Sequence, residues 1–157
     1  MKWITRERPK IDRIACPWLI RRFIDPDAEF LYVAPQRVLE EARRHNATPF
    51  DIPGVELTHD GPLCSFDAFL KKYRLDDPAL HRLAIIVRAA DTDTLEQSPQ
   101  APGLLAITLG LGANIGDDQE LLKAGVLIYD ALYTWCRSLS GEKHGWYPEQ
   151  IPVGTLP

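Results

Sequence analysis

Apolar and polar positions follow distinct periods along this chain, and each period predicts an element. In "CPWLIRRFI" (16–24), Leu19, Ile20, Phe23 and Ile24 share one arc at about 100° per residue, the mark of an amphipathic helix. Pro17 fits its first position, where a missing N–H costs nothing. "AEFLYV" is a short apolar and aromatic run and predicts a strand. "PQRVLEEARRHN" predicts a charged amphipathic helix that stops at Asn46. "GVELTH" alternates, which places Val55, Leu57 and His59 on one face of a second strand. Ser65 caps "FDAFLKKYR", and Asp77-Pro78 opens "PALHRLAIIVRAAD". Beyond a polar loop at 92–101, "PGLLAITLGL" is apolar all round and predicts a buried helix. Asp117 and Glu120 have capping-box spacing and open the longest helix, with Leu121, Ile128, Leu132, Trp135 and Leu139 along its stripe. The expected fold is α+β and mainly helical, one compact domain over 1–140 with a small sheet of two or three short strands. An irregular tail is expected at 141–157.

Composition narrows the function classes. A chain of 157 residues is one domain by length and needs no covalent staples to bury a core. The net charge of −4 argues against broad adhesion to nucleic acid or membrane. The opening "MKWITRERPK" lacks the apolar core of a secretory signal, and no apolar run reaches the length of a membrane span. Cys16, Cys64 and Cys136 are odd in number and form no C-x-x-C pair, so reduced thiols in a cytoplasm are expected. The glycines of "GLLAITLGLGANIG" do not form a strand-linked G-x-G-x-x-G pattern.

Two polar residues break apolar patterns. Asp91 continues the stripe of Leu80, Ala84 and Val87, and His59 continues the face of Val55 and Leu57. A carboxylate facing a core needs a partner or a metal. With Cys64 nearby in sequence, His59, Cys64 and Asp91 are the donor types of a borderline divalent metal such as zinc or iron. Plainer readings stand beside this one: Asp91 ends its helix in a polar loop, and His59 is a satisfied turn histidine.

The first helix raises a separate question. Cys16 is either a reactive thiol at a helix start or a small core residue. Trp18 projects between Arg21 and Arg22, which makes either a solvated face or a surface for an oxyanion or a protein partner. Arg13, Arg21, Arg22 and Arg88 are the candidate oxyanion ligands, and Asp12 with Arg13 has the look of a local salt bridge.

The segments "WITRERPKIDRIACPWLIRRFIDPDAEFLYV", "FDIPGVELTHDGPLCSFDAFLKKY", "ALHRLAIIVRAADTD" and "GLLAITLGL" resemble the C-terminal domain of the ChrB-type chromate resistance proteins. The resemblance runs from Trp3 to about Cys136, and "KIDRIACPWLIRRFIDP" is its most specific block. It implies a bacterial, cytoplasmic role in chromate or oxidative stress, with chromate or another small oxyanion as partner. Full-length members carry a further N-terminal domain and are described as chromate-responsive regulators. The sequence shows no counterpart of that domain, so direct nucleic-acid binding is not expected. Three functions remain open: a sensor or accessory protein that binds an oxyanion or a metal ion, a metal- or thiol-dependent redox enzyme using His59, Asp91 and a cysteine, and an interaction module that docks a partner or a second copy through Trp18, Arg21 and Arg22.

Overall fold

The first strand, β1 (Lys2–Arg6), lies at the centre of the sheet. Its alternation is short but strict: Trp3 enters the main core, while Ile4 enters a separate small cluster with Val38, Ala42 and Ile52. Both faces of this strand are therefore covered, as a central parallel strand requires. β2 (Glu29–Val33) pairs parallel to it from Lys2↔Glu29 to Arg6↔Val33, and β3 (Thr48–Pro49) pairs parallel on the other side. The order is β2-β1-β3. The computed structural model describes residues 1–144, so most of the tail expected at 141–157 lies outside the described residues.

Helices make up the rest. They are α1 (Asp12–Phe23), α2 (Val38–His45), α3 (Ser65–Tyr73), α4 (Pro78–Asp91), α5 (Ala101–Asn114) and α6 (Asp118–Thr134), which continues as a π-helical turn over Trp135–Leu139. The chain is thus the mainly helical α+β domain that its periods predict, and the expected caps at Asp77 and Asp117 each accept backbone N–H bonds. Among the described residues no helix is long and apolar enough to cross a membrane.

Four local expectations are corrected. α1 begins at Asp12, so Pro17 lies in the helix interior and Cys16 is not at a helix start. Proline removes the donor that would bond the carbonyl four residues back. That carbonyl belongs to Arg13, and the Tyr32 hydroxyl donates to it instead at 2.9 Å. "GVELTH" forms no strand, because it finds no partner strand and lies between Gly54 and Gly61, both at positive φ. Cys64, not Ser65, is the N-cap of α3; the Asp67 carboxylate accepts the Cys64 N–H at 3.0 Å. α5 is not buried all round: Ala101, Leu104 and Thr108 face inward, while Ile107 and Leu109 are 53% and 47% exposed.

The buried stripe of α6 falls one position from the expected one, on Leu121, Leu122, Gly125, Tyr129 and Tyr133. The reason is Gly125, which lets α1 approach. A Cβ there would stand 2.4 Å from Ile14 Cγ2.

Candidate functional site

The order β2-β1-β3 means the chain leaves the central strand for one edge and returns at the other. In open parallel sheets the crevice at the carboxyl ends of strands that part in this way is a natural place for a ligand. Arg6 closes β1 there, α1 begins just beyond with Asp12, and Asp51 follows β3. The end of α4 supplies Asp91, and the loop before α3 supplies His59.

His59 Nε2 lies 2.9 Å from Asp91 Oδ2 and 3.5 Å from both Asp12 Oδ2 and Asp51 Oδ1. One imidazole nitrogen thus faces three carboxylates. Backbone and hydroxyl donors fix them: Asp12 Oδ2 accepts the Ser65 N–H at 2.6 Å, Asp51 Oδ1 accepts the Ser65 hydroxyl at 2.7 Å, and Asp91 Oδ1 accepts the Asp12 N–H at 3.3 Å. Asp51 Oδ2 also receives Arg6 Nη2 at 2.9 Å and faces Arg13 Nε at 3.4 Å. Asp12 is buried, and its Oδ1 has no hydrogen-bond partner.

Burial and mutual repulsion make this cluster hold protons. Asp91 is pushed up to about 7, first by burial and then by the Asp12 and Asp51 charges. Asp12 is also raised, chiefly by burial. His59 is raised to about 9, first by its interaction with Asp12. Burial thus disfavours the bare carboxylates, while the carboxylates around His59 favour its cationic form.

Asp12, His59 and Asp91 each offer one ligand atom, and these atoms all lie within 4.8 Å of one another. One nitrogen and two carboxylate oxygens, with an unpartnered oxygen on a buried Asp12, fit a hard to borderline divalent cation. The cleft above has a volume of about 390 Å³ and is lined by Arg6, Lys10, Asp51, His59 and Asp91 among others. A larger groove of about 570 Å³ runs beside α3 and includes none of Asp12, His59 and Asp91.

A scan of family models matches residues 3–136 to the ChrB C-terminal domain. The chain belongs to this family. Protein ChrB of Cupriavidus metallidurans is 37% identical over 136 residues, which cover 85% of this chain and 40% of that relative. The chain therefore spans well under half of that relative's length. No solved structure matches.

The other residues expected to carry chemistry are placed differently in this ChrB-family domain. Cys64 stands outside the ligand cluster: it caps α3, its Sγ lies 3.4 Å from Asp67 Oδ2, and burial pushes its thiol far up. Cys16 is fully buried and its thiol is likewise raised by burial, so of its two readings the small core residue is the one observed. All three cysteines are free and buried. Trp18 is 1% exposed, so the expected docking face through Trp18 is corrected: the indole packs among Phe23, Phe66, Tyr129 and Tyr133. The four arginines expected to cradle an oxyanion take separate partners. Arg13 joins Asp51, Arg22 and Arg88 form two-point bonds with Asp130 and Asp67, and Arg21 lies over the Phe30 ring. Asp12 does not pair with Arg13; it turns to His59 and Ser65. Asp51 and Ser65 are the site residues that sequence reasoning missed. Asp51 lies in an irregular stretch at φ 52, where no period exists to be broken.

Proposed function

We propose that this domain binds one divalent metal ion through Asp12, His59 and Asp91, and that it serves chromate resistance as a metal-dependent sensor or accessory domain. The observation that carries the metal is the convergence of three carboxylates on His59 Nε2 at 2.9–3.5 Å. A divalent ion supplies the positive charge that the cluster otherwise takes from protons. The nitrogen and oxygen donors, with no thiolate among them, suit zinc, ferrous iron or manganese. Three protein ligands leave coordination positions for water or a small ligand. Ser65 and the Asp12 backbone N–H hold the carboxylates in place, as outer partners of a metal site do. Chromate resistance rests on family membership. The metal is favoured over an oxyanion held by Arg13, Arg21, Arg22 and Arg88 because each of these arginines already faces a carboxylate or an aromatic ring.

Two experiments test the two halves. Elemental analysis of the native protein, with titration of zinc, manganese and anaerobic ferrous iron, should give one ion per chain. Asp91→Asn and His59→Ala should each weaken that affinity about tenfold or more. Native protein without stoichiometric metal, together with flat titrations, rules out the metal. For the role, a strain without the gene should lose chromate tolerance, and the Asp91→Asn gene should fail to restore it. Unchanged tolerance rules out the role.

A further inference from the structure

The cleft over His59 and Asp91 has more in it than a metal site needs. Arg6, Lys10 and Arg13 line it together with Ile11, Leu105 and Leu109. Arg6 Nε is buried without a hydrogen-bond partner. Lys10 is exposed, and among the described residues no ion pair engages it. The three cations of the wall match the charges of Asp12, Asp51 and Asp91, so a divalent ion leaves the site doubly positive. An anion is the natural complement. The apolar lining adds a second requirement. α5 carries no charged residue over its 14 positions, and Leu109 is half exposed at the cleft beside the partly buried Leu105. A volume of about 390 Å³ lies at the low end for a small-molecule site, which limits the ligand to a short one.

Resting on the metal reading above, we infer that this cleft binds a small amphipathic anion, a carboxylate with a short apolar chain. Its head lies toward the metal, Arg6 and Lys10, and its chain lies against Leu105 and Leu109.

The test uses zinc-loaded protein and calorimetric titration with acetate, butyrate, hexanoate and, as an anion without an apolar chain, inorganic phosphate. Affinity should rise about two- to fourfold per added methylene, as partial to full burial of each group implies. Phosphate should bind more weakly than hexanoate. Lys10→Ala should weaken every carboxylate about tenfold, the scale of one charge-assisted contact, and leave zinc affinity unchanged. Leu109→Ser should flatten the dependence on chain length. Both side chains are exposed, and a melting curve checks that each variant folds. Zinc-loaded protein that binds no carboxylate, or binds all of them and phosphate equally, overturns the inference while the metal site stands. Protein that takes up none of zinc, manganese and ferrous iron removes the metal reading and this inference with it.

Discussion

The indole N–H of Trp18 donates to Asp130 Oδ1 at 2.7 Å, across the packed surfaces of α1 and α6. Arg22 reaches the same carboxylate from outside, with Nε at 2.9 Å and Nη2 at 2.6 Å. The carboxylate is thus a buried hinge pin between a tryptophan and an arginine that the sequence places on an open face. Asp130→Ala should cost about 2–4 kcal/mol, because it leaves the indole N–H unpaired and the guanidinium without its partner. Urea unfolding followed by far-ultraviolet circular dichroism measures this. Arg21→Ala with Arg22→Ala should lower stability without changing phosphate or sulfate titrations. A large loss of anion binding in that double variant restores the oxyanion reading.

Gly125 marks where α1 and α6 touch. A methyl group there meets Ile14 Cγ2 at 2.4 Å, and a β-branched side chain on a helix has little freedom to turn away. Gly125→Ala should therefore destabilise by about 1–3 kcal/mol, despite the better helix propensity of alanine. Adding Ile14→Ala should recover part of this loss in a double-mutant cycle. Purely additive losses count against the contact.

Pro17 and Tyr32 form a pair of another kind. Proline leaves the Arg13 carbonyl without its helical donor, and the Tyr32 hydroxyl takes the place of that N–H. Tyr32→Phe should cost about 1 kcal/mol in the native chain. The same change made beside Pro17→Ala should cost clearly less, since alanine returns the N–H. Equal costs in both backgrounds contradict the substitution of one donor for the other.

Much of the fold is legible in these periods. Each helix shows in the sequence through an apolar stripe or a capping residue, as at Asp77 and Asp117. β1 does not, because five residues beside a charged run give too short an alternation to stand out. α5 looked buried because composition registers apolarity and not what covers it. The site was half legible. His59 and Asp91 signalled themselves by breaking apolar patterns, and the structure brings them to 2.9 Å. His59 does so from a loop, so its signal arose from the right burial of Leu57 and the wrong element. Asp12 and Asp51 gave no such sign. Their place in the site depends on a parallel sheet that brings the end of β1, the start of α1 and the loop after β3 together.

The cluster also sets a pH dependence with a definite sign. Asp91 rises from 3.8 to about 7 in the folded chain, and His59 from 6.5 to about 9. A group raised on folding contributes stability that is complete below its unfolded value and is lost as pH climbs through its folded value. Both groups therefore act in one direction: metal-free protein should lose thermal stability between pH 6 and pH 9. A divalent ion should reverse this, because it takes the place of the protons and binds most tightly where they have left. Chelator-treated protein should then melt at a lower temperature at pH 9 than at pH 6, and zinc or manganese should raise the melting temperature more at pH 9. Asp91→Asn removes one of the two titrating groups and weakens the metal, so its metal-free slope should be shallower and its gain on adding metal smaller. Melting temperatures that are level across this range in the native chain, or that rise with pH, would show that Asp91 and His59 are not raised in the folded chain as described.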